Sequence, residues 1–422
     1  MNRLVTLLDR RENKVLAGLV LVVLALRLGA WLVLQPEIQS DGLAYFLMSE
    51  ALAQGLPPVD QYGQHAFFSV GYPLVLAPAF ALLGASAYAA MLTNLVLAAC
   101  SAWLIHRIGR AIGLAPVWRL AAVLAYALWL PGIWSTARLA RENLSTPLML
   151  LVVLLALSLL HGRRRGATAL GCGLAYGFAL LAGGSALPLV AAPAIAILLV
   201  WYRREAAPAI PLLALGAGAA LVLAPWTMAT DRLVGTPTLN TNGGFNLYLG
   251  NNPAANGRFV SIVDTPAGPG WEQMREDLGE VGASRQLGAQ AKAYILAHPA
   301  ETARLTVTRL ALFWAPNWPS LSDVEGSRAL LAMRSVEVLQ YLLLLAFALV
   351  GASSRRLPRD AALVIAAAVL GFWAIHGVTY NIARYRDPAM PIVILLATLG
   401  LRETLALTGR MLREPARVAA TN

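Results

Sequence analysis

The chain has 422 residues, 58% of them hydrophobic and only 13% charged, with a formal net charge of +11. A soluble globular protein cannot bury that much apolar surface, and a mean hydropathy of +0.63 points to an integral membrane protein. The basic excess is not the footprint of a nucleic-acid binder, because it is segregated by loop: about 19 of 33 Lys and Arg fall on one side of the expected membrane and about 16 of 22 acids on the other. This positive-inside bias puts both termini in the cytoplasm.

A bilayer-spanning helix needs about 20 mostly apolar residues. Ten segments qualify: 15–34, 87–106, 118–134, 145–161, 167–184, 187–202, 209–228, 336–352, 360–377 and 388–405. The first reads as a retained signal anchor, since it is longer than a signal-peptide core and no small-residue cleavage site follows. It contains Arg27, a charge that is costly in hydrocarbon unless it snorkels to the headgroups or finds a partner. Asp41 follows on the outer side and opens an amphipathic stretch holding Tyr45 and Glu50. Residues 70–84 resemble a further span, but counting them would put Arg107, Arg110 and Arg119 outside and invert every later loop. Short, and carrying Pro73 and Pro78, the segment reads instead as a helix in the outer interface, within a first external loop of 35–86.

Residues 1–228 thus form an N-terminal transmembrane module. Within it, Arg138, Arg141 and Glu142 share a helical face at the outer end between two spans. Cys100 and Cys172 lie in spans and give no disulfide framework. Gly173-x-x-x-Gly177 predicts close helix packing. Residues 229–335 form one large external region. Its Asn- and Gly-rich part, 240–253, reads as ordered turns. Helical periodicity follows over Ala283–His298 and Glu301–Trp314, with Arg304 and Arg309 on the polar face. Trp314 and Trp318 fit an interfacial aromatic belt. Residues 336–422 supply three spans and a cytoplasmic tail. Before the last span, Tyr380-Asn-Ile-Ala-Arg384-Tyr385-Arg386-Asp387-Pro388 breaks the charge trend with two outer arginines.

There is no P-loop, GxSxG, HExxH or zinc spacing, and the five histidines (65, 106, 161, 298 and 376) are scattered. Each outer polar group has a bland reading: Asp41 as a helix N-terminal carboxylate, Arg141–Glu142 as an interfacial pair, Arg386 paired locally with Asp387. Jointly they suit a lipid phosphate carrying a transferable group. Arginine matches phosphate geometry and keeps its charge. A phosphodiester leaves without protonation when cations stabilise it, so one general base for an acceptor hydroxyl suffices.

Four ordered features carry a resemblance. They are Asp41-Gly-x-x-Tyr45 with Ala51 and Gly55; Gly71-Tyr72-Pro73-Leu74 running to Leu83-Gly84 and Leu92-x-Asn94; Pro225-Trp226-Thr227 followed by Asn242-Gly243-Gly244-x-Asn246-Leu247-x-x-Gly250-Asn251-Asn252-Pro253; and Arg384-Tyr385-Arg386-x-Pro388-x-x-Pro391. Together they span roughly residues 15–405, and the chain resembles the bacterial GT-C glycosyltransferases of the protein-O-mannosyltransferase-like class, glycosyltransferase family 39 and its aminoarabinose transferase-like relatives.

The resemblance implies an all-α polytopic GT-C bundle of about ten transmembrane helices, with interfacial helices in the first external loop and one large external loop. It implies transfer of a sugar from a polyprenyl-phosphate donor to a glycan, lipid or protein acceptor, with inversion, at the extracytoplasmic face of the bacterial inner membrane. Asp41 would be the catalytic base. Arg384, Arg386, Arg141 and Arg138 would face the donor phosphate. Glu142, Tyr45, His65, Tyr72, Asn242, Asn246, Asn251, Tyr380, Tyr385 and Arg27 are the remaining site candidates. No cofactor is required with certainty. A divalent cation stays open, though Gly42 after Asp41, where some relatives have a second acid, weakens a metal role. Membrane lipid is an expected partner and nucleic acid is not. The alternatives are a glycan polymerase or ligase using a diphosphate donor, a lipid or solute transporter, which would predict paired broken helices at the midplane, and an inactive relative that only binds lipid phosphate.

Overall fold

The computed structural model describes the backbone of residues 2–319 and 327–411, with side chains over 11–319 and 327–408. Sixteen α-helices follow in order: α1 (Asn2–Leu34), α2 (Asp41–Ala53), α3 (Gly71–Leu83), α4 (Ala87–Ala111), α5 (Pro116–Ala127), α6 (Leu130–Thr136), α7 (Glu142–His161), α8 (Arg165–Ala182), α9 (Ala191–Tyr202), α10 (Ala209–Val234), α11 (Gly243–Gly250), α12 (Trp271–Ala297), α13 (Pro299–Trp314), α14 (Arg328–Ala352), α15 (Arg359–Ile375) and α16 (Met390–Met411). Among the described residues there is no strand, only an isolated bridge between Arg258 and Asn381. The chain is an all-α, polytopic membrane protein.

Among the described residues, seven helical stretches are long and apolar enough to cross a bilayer, and the bent pair α5–α6 makes an eighth if counted as one. The other two expected spans, 167–184 and 360–377, are α8 with 18 residues and α15 with 17, both packed within the bundle. The expected span 118–134 is not a single rod: it bends by 58° between α5 and α6. Pro131 explains the break: it has no N–H to continue the ladder of α5 and its ring crowds the preceding turn, while the first turn of a new helix tolerates it. The side chain of Gln340, on α14, repairs the freed backbone. It donates to Leu128 O at 2.8 Å and accepts from Leu130 N at 3.1 Å, as a break at membrane depth requires.

Gly173 acts as its spacing predicts. A Cβ there would sit 2.1 Å from Leu215 O, so α8 and α10 pack backbone to backbone. α3 has 13 residues, about 20 Å of helix against about 30 Å of hydrocarbon, and it is no crossing. Its Tyr72, Leu76 and Phe80 are buried in the main core.

Two sequence expectations need correction. Residues 243–250 are not turns but the helix α11. Gly244 meets the backbone of α12 at Ser284, and Tyr248 and Leu249 are buried with Trp271 and Leu287. Burial against α12 thus overrides the weak helix propensity of Asn and Gly. Arg309 is not on an outer face of α13; it is fully buried. The helix expected over Ala283–His298 is the second part of α12, after a break at Gly279, whose φ of +64° only glycine adopts freely.

Polar contacts collect at two ends of the bundle. At one, Glu12 takes Arg119 and His106, Arg203 takes Asp360, and Arg356 takes Glu403. At the other lie the segments after α1, α6 and α15, together with α11–α13.

Candidate active site

The site is assembled by three chain reversals. The first runs from α1 into α2. Ser40 has φ +54° and ψ −131°, a backbone conformation that costs a non-glycine residue about 1–3 kcal/mol, and it delivers Asp41 as the first residue of α2. Gly42 permits the next approach: a Cβ there would lie 3.2 Å from Leu139 O. The mouth of α2 therefore sits against the turn 137–141, which ends in Arg141 and Glu142.

That turn is pinned from inside the bundle. Tyr72 donates its hydroxyl to Asn94 Oδ1 at 2.7 Å, and Asn94 Nδ2 donates to Thr136 O at 3.0 Å and Arg138 O at 3.1 Å. Asn143 Nδ2 adds a bond to Arg138 O at 2.9 Å. Sequence reasoning missed Asn143 and gave Asn94 no site role. The available signal was an amide facing the apolar interior, which must find hydrogen bonds. Arg138 serves here through its carbonyl, while its side chain is exposed.

The third reversal is the 3-10 turn Ala383–Ala389 before α16. Arg384 Nη2 donates to Asp41 Oδ2 at 2.7 Å, across 343 residues of sequence. Its Nε lies 3.8 Å from Glu142 Oε1, and Arg141 Nε lies 3.9 Å from the same oxygen. The buried Glu142 thus sits between two guanidiniums, and Arg384 sits between two carboxylates. The side chains of Asp41 and Arg384 are 44% and 41% exposed, against 6% for Glu142, so the outer pair faces solvent over an anchored inner acid. Asp41 is therefore more than a helix-terminal carboxylate. Tyr45, one turn into α2, is buried, and burial pushes its phenol well above the ordinary range, with Arg141 opposing. It stays protonated at neutral pH. Its ring meets Tyr72 edge-on at 5.5 Å.

Other candidates are placed elsewhere. Arg386 turns away from Asp41. Its Nη1 donates to Phe313 O and Ala315 O at the end of α13, and its guanidinium lies 4.0 Å over the Tyr341 ring. No Arg386–Asp387 ion pair forms among the described residues. Tyr380 donates to Asn246 Oδ1 at 3.1 Å, and Asn251 Nδ2 donates to Val378 O at 3.0 Å. Tyr385 packs near Tyr380, ring centroids 6.0 Å apart. Asn242 caps no backbone group and precedes α11. His65 is held in the first external loop, its Nδ1 2.7 Å from Pro58 O and its backbone N–H on Glu280. Arg27 does not snorkel: it is fully buried, with Nε donating to Thr136 Oγ1 at 3.2 Å.

Arg309 is the residue the sequence concealed. It donates to Gly377 O at 3.0 Å, Val378 O at 3.1 Å and Asn251 Oδ1 at 3.2 Å, and also to Gly250 O. It ties α11 and α13 to the segment that leads into Tyr380 and Arg384. Burial pulls its pKa down to about 10, so it remains charged at neutral pH.

No family model matches the chain, and no curated protein matches it. Solved structures do. The oligosaccharyltransferase of Archaeoglobus fulgidus in the apo form superposes with a TM-score of 0.56 at 12% identity, over 96% of this chain and 52% of that one. The same organism's oligosaccharyltransferase AglB, in complex with an inhibitory peptide and a dolichol-phosphate, gives 0.53 at 14% identity, over 97% and 52%. ArnT of Cupriavidus metallidurans bound to undecaprenyl phosphate gives 0.44 at 13% identity, over 91% and 77%. The fold is the polytopic GT-C fold of membrane glycosyltransferases. The chain spans about half the length of the oligosaccharyltransferases it matches.

Proposed function

We propose that the chain is a membrane glycosyltransferase that moves a sugar from a polyprenyl-phosphate donor to an acceptor on the extracytoplasmic face of the bacterial inner membrane, with both termini in the cytoplasm. The observation that carries this reading is the Asp41–Arg384 contact at 2.7 Å beside Arg141 and Glu142. A guanidinium shared between two carboxylates can swing part of its hydrogen bonding to an arriving phosphate and release Asp41 as it does so. Arg384 and Arg141 would then hold the donor phosphate. Arg386 is already engaged by carbonyls, so less weight falls on it.

In the transfer step, Asp41 takes the proton of the acceptor hydroxyl. The acceptor oxygen attacks the anomeric carbon, the bond from that carbon to the phosphate oxygen breaks, and the electron pair leaves with the polyprenyl phosphate. The two arginines stabilise the charge that develops there. Attack from the face opposite the phosphate inverts the anomeric centre. Glu142 keeps both guanidiniums in place. Tyr45 supplies a protonated hydroxyl at the floor.

A divalent cation is a weaker fit. Among the described residues no group of three or more His, Cys, Asp or Glu converges, and a cation between Asp41 and Glu142 would face two guanidiniums. The test is purified protein in lipid nanodiscs with synthetic donors. Release of polyprenyl monophosphate with transfer to an acceptor supports the reading. Turnover confined to diphosphate-linked donors replaces it with the glycan ligase, and transport of intact lipid without bond cleavage replaces it with the transporter.

A further inference from the structure

We infer that Arg27 and Asp387 form a water-bridged ion pair across a polar cavity inside the bundle, and that this pair positions the turn carrying Arg384. Arg27 lies about two turns below the Leu34 end of α1 and is fully buried. No carboxylate comes within ion-pair distance of it among the described residues. Its Nη2 donates to Tyr126 O at 3.4 Å, its guanidinium lies 4.5 Å over the Tyr126 ring, and its Nη1 has no hydrogen-bond partner. Guanidinium cannot shed its proton, and a buried charge without a counter-charge is strongly unfavourable.

The residues around that guanidinium, Tyr126, Gly132 and Thr136, are also walls of a cavity of about 30 Å³. Asp387 is another wall, and Asn94, Ser135 and Asn143 add polar groups. A void that admits a water needs only about 10–15 Å³, and polar voids fill where apolar ones stay dry. One or two waters joining Arg27 to Asp387 would satisfy both ions at little cost. Asp387 lies three residues from Arg384 in the turn Ala383–Ala389, so fixing its carboxylate fixes the backbone that presents Arg384 to Asp41.

The pair is tested on the full chain in nanodiscs by hydrogen exchange over residues 376–390, with the thermal midpoint alongside. Arg27→Gln and Asp387→Asn should each speed exchange of the turn by about tenfold, since each leaves the other ion without its counter-charge. The double variant should do no more than the worse single, and Arg27→Lys should recover most of the protection. Ala98→Val narrows the cavity and should lower the midpoint by displacing water. Additive effects of the two singles overturn the pair, as does a midpoint raised by Ala98→Val, the sign of a dry void. Should Arg27→Gln fail to fold, Arg27→Lys takes its place in the cycle with Asp387→Asn, and additive effects there overturn the pair.

The positioning role rests on the glycosyl-transfer reading, in which Arg384 binds donor phosphate. Affinity for a polyprenyl monophosphate should weaken about tenfold in either single variant, roughly one strong hydrogen bond's worth, and return in Arg27→Lys. Unchanged affinity beside faster exchange overturns positioning. A wild-type chain that binds no such lipid sinks the functional reading, while the exchange data still judge the ion pair.

Discussion

Arg309 and Arg384 sit in the same outer region of the molecule and do opposite work. Arg309 is wholly buried and donates to four groups on two segments, the end of α11 and the stretch after α15. Arg384 has a side chain 41% exposed, one hydrogen bond at 2.7 Å, and a second carboxylate at 3.8 Å. Arg309 spends both terminal nitrogens on these acceptors, and its Nε, though unpartnered, is buried, so no face of it is open to a ligand. An undersaturated one between carboxylates can exchange partners, and Arg384 is partly open to solvent. The contrast separates a buried staple from an arginine that is free to exchange partners, the property that the proposed donor-binding role of Arg384 needs.

Variants at the two arginines should therefore fail differently. Arg309→Leu leaves four acceptors without their donor, and the loss should be the largest here, about 3–5 kcal/mol from several buried polar groups left unpaired, seen as a lower thermal midpoint and easy proteolysis of 243–314. Should Arg309→Leu leave stability intact, the staple reading is wrong. Arg384→Gln should keep the midpoint and raise the donor KM by about tenfold to a hundredfold, as loss of one charge-assisted hydrogen bond would. A change in stability without a change in KM would put Arg384 with Arg309.

Asn94→Ala sharpens the comparison at intermediate size. It removes the amide that holds the turn before Arg141, and about 1–3 kcal/mol of stability should go with it, together with part of the donor affinity. Tyr45→Phe should slow transfer modestly. Because burial holds the Tyr45 phenol above its ordinary range, it stays protonated as pH rises, and the pH profile of wild type should show no alkaline loss attributable to it below about pH 10. An alkaline limb below that pH which disappears in Tyr45→Phe would refute the assignment. Arg304, in an exposed pair with Glu301 one turn away, should give no measurable change in the midpoint when replaced by alanine.

The bundle was legible because hydropathy and charge asymmetry are local sums over a window. The packing of Gly173 was legible for a similar reason, since one spacing suffices. Asp41 and Arg384 could be nominated separately from their outer placement, but their contact spans 343 residues and no local pattern reports it. Arg309 illustrates the limit. Periodicity assigned it to the polar face of α13, but it lies one turn from the buried Leu305 and Phe313, and the carbonyls of Gly250 and Gly377 take its charge there. Likewise, Asn and Gly between 242 and 250 spell turns until Ser284 and Trp271 of α12 supply a surface to fold against. Arg386 was named with Arg384 because they are neighbours in sequence. The 3-10 turn sends one to Asp41 and the other to the end of α13.

The most direct measurement is single-turnover transfer by purified Asp41→Asn, with donor binding followed in parallel. Removing the proton acceptor while sparing Arg384, Arg141 and Glu142 should leave the polyprenyl-phosphate donor bound and cut transfer by about 10²–10⁴-fold. Transfer at the wild-type rate in that variant would contradict the account at its centre.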